Sequence, residues 1–176
     1  MSKKYELTSE TTQTINGETL YRIKALRDFG DVKAGDLGGW VESESNLDHV
    51  GDCWVFDNAE VSGDARVYGD AWVYGDAWVF DNAQVYGYAR VSGDAWLSGD
   101  AWVYKKSHII TFSGFGSLAR TTTAFKTEAS FHISCGCFKG TLEEFRAAIS
   151  ETHGDNKFGR EYKLIAYLIE LHFSEE

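Results

Sequence analysis

Between Gly51 and Tyr104 the chain repeats itself every six residues, nine times without an insertion: GDCWVF, DNAEVS, GDARVY, GDAWVY, GDAWVF, DNAQVY, GYARVS, GDAWLS, GDAWVY. The fifth residue of each hexad is aliphatic (Val55, Val61, Val67, Val73, Val79, Val85, Val91, Leu97 and Val103), and the third is Ala everywhere except Cys53. A period of six cannot be a helix face, which recurs every 3.6 residues. It suits a short strand with alternating inward and outward side chains, followed by a corner. The small third residue lets the backbone turn tightly. The preceding Gly-Asp or Asp-Asn supplies residue types that tolerate left-handed backbone angles.

Three such hexads make one triangular turn, so residues 51–104 give three turns and, at about 4.8 Å per turn, a stack about 15 Å tall. Val41 and Leu47 are also six apart, so the pattern begins earlier and is interrupted by an eight-residue step at "HVGD". The fold class expected is mainly β: a short left-handed parallel β-helix of hexapeptide repeats, with an N-terminal β cap (1–36), the solenoid (37–104) and a small C-terminal α+β module (105–176).

The hexads resemble the hexapeptide-repeat family, and nine consecutive copies make the resemblance specific. The stretch "DFGDVKAGDLGGWVE…GDCWVFD" is similar to the start of enterobacterial and phage-borne solenoid proteins of unassigned function. "CGCFKGTLEEF…THGDNKFGREY" (135–162) resembles an end module found after such repeats in phage and prophage proteins. These resemblances imply an architecture and a phage setting, hence a host-protein partner and a bacterial cytoplasm. They imply no chemistry of their own.

If the valines point inward, their neighbours point outward. An 18-residue turn then places Trp54, Phe56, Trp72, Tyr74 and Arg90 on one wall, and Glu60, Trp78, Phe80 and Trp96 on a second. Arg66, Tyr68, Gln84, Tyr86, Trp102 and Tyr104 fall on the third. Aromatic residues favour strands and stack between rungs, but a monomer seldom exposes so much contiguous apolar surface. The candidate binding residues are therefore Trp54, Trp72, Trp78, Trp96, Trp102, Tyr68, Tyr86, Tyr104, Arg66 and Arg90. They point to a homo-oligomer that engages a protein, or a small ligand such as a saccharide or nucleotide, with the two arginines stacking on a base and pairing with phosphate.

Charge follows the repeat. Residues 51–104 carry a net −7 of the chain's −10, against −3 for residues 1–50 and zero for residues 105–176. Such acidity argues against direct binding of nucleic acid. A sharper expectation is that the corner column Asp52, Asp64, Asp70, Asp76, Asp94 and Asp100 imitates a phosphate track, although Asn58 and Asn82 take the same place. No apolar run is long enough to span a membrane, and MSKKYELTSE has no secretory character. Three cysteines (Cys53, Cys135, Cys137) read as reduced thiols.

Catalytic chemistry is sparse. His132, Cys135, Cys137 and His153 lack convincing zinc spacing, so no metal or cofactor is expected. "GDLGG" and "SGFGS" lack the form of phosphate loops and read as turns. Hexapeptide solenoids are often acyltransferases that use a histidine base beside the coil. By that resemblance His49 is the residue to test, since it is the only histidine placed beside the repeats. The expectation from sequence is nevertheless a non-enzymatic interaction protein that modulates a host protein, with acyl transfer and small-ligand capture as alternatives.

At the ends, "TQTINGETLYRIKAL" reads as a hairpin about Asn16-Gly17, capping the open first turn against end-to-end growth. "HIITFSGFG", "TTTAFKT" and "SFHISCGCF" read as strands. Thr141 and Glu144 form a capping box that starts a helix stopped by Gly154. A second helix from about Lys157 presents Tyr162, Ile165, Leu168, Ile169 and His172 on one face.

Overall fold

The computed structural model describes residues 3–174, in two compact units, one ending at His108 and the other beginning at Ile109. The first contains the hexads as nine two-residue strands, β4 (Trp54–Val55) to β12 (Trp102–Val103), preceded by β1 (Tyr5–Gln13), β2 (Thr19–Ala25) and β3 (Leu37–Val41). Each strand from β4 to β9 pairs in parallel with the strand three places on: Val55 with Val73 and Val73 with Val91, Val61 with Val79 and Val79 with Leu97, Val67 with Val85 and Val85 with Val103. The chain is thus a short parallel β-helix of the hexapeptide type. All nine aliphatic residues and the third-position residues are at most 1% exposed. Each fully buried Val or Leu contributes about 1.5–3 kcal/mol of hydrophobic stabilisation.

The eight-residue step falls where the sequence places it. Val41 stands over Val61, and Leu47 bridges in parallel to Val67; both pairs are twenty residues apart, two more than the regular turn.

Left-handed backbone angles occur at the first residue of the hexad, not at the second. Gly51, Gly63, Gly69, Gly75, Gly87, Gly93 and Gly99 all have positive φ, as do Asp57 (φ 52°) and Asp81 (φ 59°) where Asp replaces Gly. These two aspartates offset the awkward angle by a bond along the stack. Asp57 Oδ2 accepts from Gly75 N at 3.2 Å, and Asp81 Oδ2 from Gly99 N at 3.0 Å. The second-position aspartates do not take the left-handed angle.

The N-terminal hairpin does more than stand over the first turn. β1 pairs antiparallel with β2, and β2 with β3, while β3 joins the repeat strands in one sheet ordered β1-β2-β3-β5-β8-β11. Its turn is longer than the two-residue type that Asn16-Gly17 favours. Thr14 N donates to Glu18 O at 3.0 Å, and the Thr14 hydroxyl accepts from Glu18 N at 3.1 Å, so that Ile15–Gly17 form the loop. "GDLGG" is only partly a turn: Gly38 and Gly39 lie buried within β3. A Cβ on Gly38 would come within 2.6 Å of Ile23 Cγ1 and Val55 O, so only glycine lets β3 pass between hairpin and coil.

The second unit is a four-stranded antiparallel sheet, β13 (Ile109–Phe115), β14 (Arg120–Lys126), β15 (Phe131–Cys135) and β16 (Phe138–Gly140), with helices α1 (Leu142–His153) and α2 (Lys157–Ser174). The Thr141/Glu144 capping box is present and Gly154 ends α1 with φ 55°. α2 buries Tyr162, Ile165, Ala166, Ile169 and Phe173. Leu168, expected on that face, is instead 46% exposed, because the buried stripe turns toward Ala166 and Phe173. Among the described residues no helix is long and apolar enough to cross a membrane.

Replacing Asp81 by Ala removes the acceptor for Gly99 N–H and places a methyl at a left-handed position; urea unfolding should show a loss of about 2 kcal/mol, with Asp81→Gly costing clearly less.

Candidate functional site

The register divides the candidate residues among three walls as their spacing requires. On the third wall Tyr68 and Tyr86 stack with centroids 4.8 Å apart and planes 4° apart, and Tyr104 continues the column at 5.6 Å. Trp102 tilts against Tyr86 at 5.9 Å, and Trp102 and Tyr104 are each 39% exposed. Arg66 is exposed, 5.9 Å from the Tyr68 ring. On the second wall Trp78 stacks on Trp96 at 5.0 Å. Glu60 lies in the same ladder between Trp40 and Trp78, and burial raises its carboxyl above the usual range.

Trp54 departs from the expected outward, accessible placement. It is 1% exposed, met edge-on by Phe29 at 5.3 Å and by Tyr5 at 6.1 Å. The N-terminal segment covers the top of the first wall, so Trp54 is core. The wall below is open. Phe56 tilts against Trp72 at 5.2 Å, and the Arg90 guanidinium lies 4.2 Å over the Trp72 ring. Arg90 is held by Nη1, which donates to Asp70 O at 2.7 Å and Ala89 O at 2.9 Å. With Asp57, Tyr74 and Lys106 these side chains border an open hollow of about 490 Å³. Lys106 was not singled out by sequence because it follows the last hexad. The 18-residue spacing from Tyr88 to Lys106 is the signal that places it by this wall.

The acidic corner column is not one track. By register Asp52 and Asp70 share one corner, Asp76 and Asp94 a second, Asp64 and Asp100 the third. Asn58 precedes Asp76 and donates to it at 3.2 Å, Asn82 separates Asp64 from Asp100, and Tyr88 follows Asp70. Asp70 Oδ1 also accepts from Asp52 N at 3.2 Å. No corner carries an uninterrupted row of carboxylates.

His49 sits at the eight-residue step. Its ring stacks on Tyr5 at 4.4 Å, Nδ1 accepts from Lys4 N at 3.2 Å, and Nε2 lies 3.8 Å from Glu44 Oε2. The ring borders a hollow of about 310 Å³ shared with Glu44, Asp48, Asp64 and Arg66. Because a main-chain N–H occupies Nδ1, the neutral imidazole carries its proton on Nε2, which is buried with no hydrogen-bond partner among the described residues, so the ring presents no lone pair to act as a general base. Nor is it the sole histidine at the coils: His108 is buried beside the last rung, edge-on to Tyr104 at 4.1 Å.

Beneath the cap, Lys4 is wholly buried and its Nζ donates to Cys53 O at 2.9 Å. Burial raises the Cys53 thiol despite that ammonium. Tyr5 is likewise raised, first by burial and then by Glu44; its hydroxyl donates to Leu47 O at 2.7 Å. These groups join hairpin to coil and are closed to chemistry. Among the described residues no three His, Cys, Asp or Glu side chains converge as a metal site.

Two hexad-rich stretches, residues 59–75 and 83–99, match the family described as the YdcK β-solenoid repeat. The chain is also similar to a protein of Escherichia coli (strain K12) named "Uncharacterized acetyltransferase YdcK", with 40% identity over 57 residues. That match covers 28% of this chain and spans only 18% of the relative's length. The chain is thus a repeat β-solenoid protein. The expectation of a non-enzymatic protein is corrected by this likeness, since a relative that shares part of the chain carries an acetyltransferase name.

Trp54→Ala should cost about 3–5 kcal/mol in chemical unfolding, the range for truncating a buried large aromatic, whereas Trp102→Ala, on a half-open wall, should cost clearly less.

Proposed function

We propose that the protein is a self-associating solenoid of acyl-transfer type, which holds the nucleotide portion of an acyl donor on its first wall. The observation that carries this reading is the Arg90–Trp72 pair in its hollow. A planar cation held over an indole, beside Phe56 and Tyr74, offers a surface on which a base stacks, and Arg90 and Lys106 bring positive charge to a repeat whose net charge is negative. The similarity to an acetyltransferase supports the same donor class.

Self-association runs through the third wall. Its ring column ends in Trp102 and Tyr104, whose exposure is high for aromatics on one continuous ladder. A second reading is favoured by Tyr88, which is 71% exposed: aromatic anchors of this kind suit a protein partner, and the resemblance of residues 135–162 to phage end modules supports a host protein of the bacterial cytoplasm as that partner.

Calorimetry with acetyl-coenzyme A tests the leading reading. The intact protein should bind saturably, and Arg90→Ala should weaken binding at least tenfold while the fold persists. No heat of binding with the intact protein would overturn it.

A further inference from the structure

The second unit contains a cavity that none of the foregoing uses. It lies between the β13–β14 loop, the β15–β16 turn and the two helices, is partly open to solvent, and has a volume of about 230 Å³. Phe138, Phe145 and Ile149 give it an apolar lining, and Phe145 and Ile149 belong to the buried core of the unit. Its polar groups converge from three directions. Cys135 and Cys137 come from the turn; Tyr162 comes from α2, with the His153 ring stacked on it at 5.5 Å; Arg120 comes from β14.

Arg120 is the cation of this cavity. Its guanidinium packs directly over Gly136, where any side chain would collide with it. Among the described residues no carboxylate lines the cavity. The nearest acid on α2, Glu161, is turned to other partners: Oε2 accepts from Gly116 N at 3.1 Å, and Oε1 lies 3.6 Å from Lys157 Nζ. The Tyr162 phenol is pushed up to about 12, by burial first and then by the Cys135 thiol beside it, so it keeps its proton. Cys135 Sγ accepts from the Thr122 hydroxyl at 3.2 Å and lies 3.9 Å from the Tyr162 oxygen.

We propose that this cavity is a binding site for a small carboxylate with an apolar body, its carboxylate on Arg120 and its body among Phe138, Phe145 and Ile149. The planar fork of Arg matches a carboxylate in two parallel bonds. The volume lies below that of sites for drug-sized ligands, which limits the occupant to a single ring or a short chain. The site is independent of the acyl-donor wall, so either can fail without the other.

The test uses the full chain and benzoate, with benzamide as its neutral counterpart. Benzoate should produce saturable amide shifts at Arg120, Cys135, Phe138 and Thr152, and should bind at least tenfold more tightly than benzamide. Arg120→Gln, a change at an exposed side chain, should abolish that preference. Benzoate should also slow alkylation of Cys135 and Cys137, with buried Cys53 as the unreactive internal control. Absence of saturable shifts, equal affinity for benzamide in the wild type, or an undiminished preference in Arg120→Gln would each overturn the proposal.

Discussion

Every other feature of the first unit depends on the stacking of one branched residue on another eighteen positions away. The inward valines fill the centre of the coil, and the backbone bonds that hold rung to rung, such as Trp72 N to Ala89 O at 3.0 Å and Trp78 N to Ala95 O at 2.8 Å, exist only while that registry holds. A shift by one residue would send Val outward and Trp or Tyr into a space sized for Ala and Val. Registry therefore determines what the surface is. The aromatic walls and the three separate acidic corners all follow from where the valines sit.

That dependence explains why the solenoid was legible in the sequence. A pattern that recurs nine times states its own period, and the period alone assigns each residue to a wall. The helices were legible for a related reason, since Thr141, Glu144 and Gly154 mark their ends by local chemistry. Contacts between segments far apart in sequence were not. Nothing near Trp54 distinguishes it from Trp72 or Trp78, yet Tyr5 and Phe29 bury it from across some fifty and twenty-five residues of chain. Gly38 and Gly39 look like a turn until Ile23 and Val55 are placed against them. The first-position Asp57 and Asp81 carry the left-handed angles, and only the dihedrals separate them from the second-position column that looked equivalent.

The candidate site was legible in part for the same reasons. Arg90 and Trp72 are eighteen apart, so their meeting on one wall was readable from the repeat. Lys106 and the hydrogen bond that occupies His49 Nδ1 were not, because one lies past the repeat and the other involves Lys4 from the hairpin. A chain with so regular a centre keeps its individuality at the interruptions: the eight-residue step that carries His49, the break of the Trp ladder at Arg90, and the segment after the final hexad. The functional reading rests on such places, where the pattern yields to a particular side chain.

The registry can be measured directly by scalar couplings across hydrogen bonds in the isotope-labelled protein. The account predicts couplings from the amide nitrogens of Trp54, Trp72, Trp78 and Gln84 to the carbonyl carbons of Ala71, Ala89, Ala95 and Ala101, each seventeen residues on. Couplings from these four amides to carbonyls at any other spacing would contradict the triangular coil and with it the assignment of every residue to its wall.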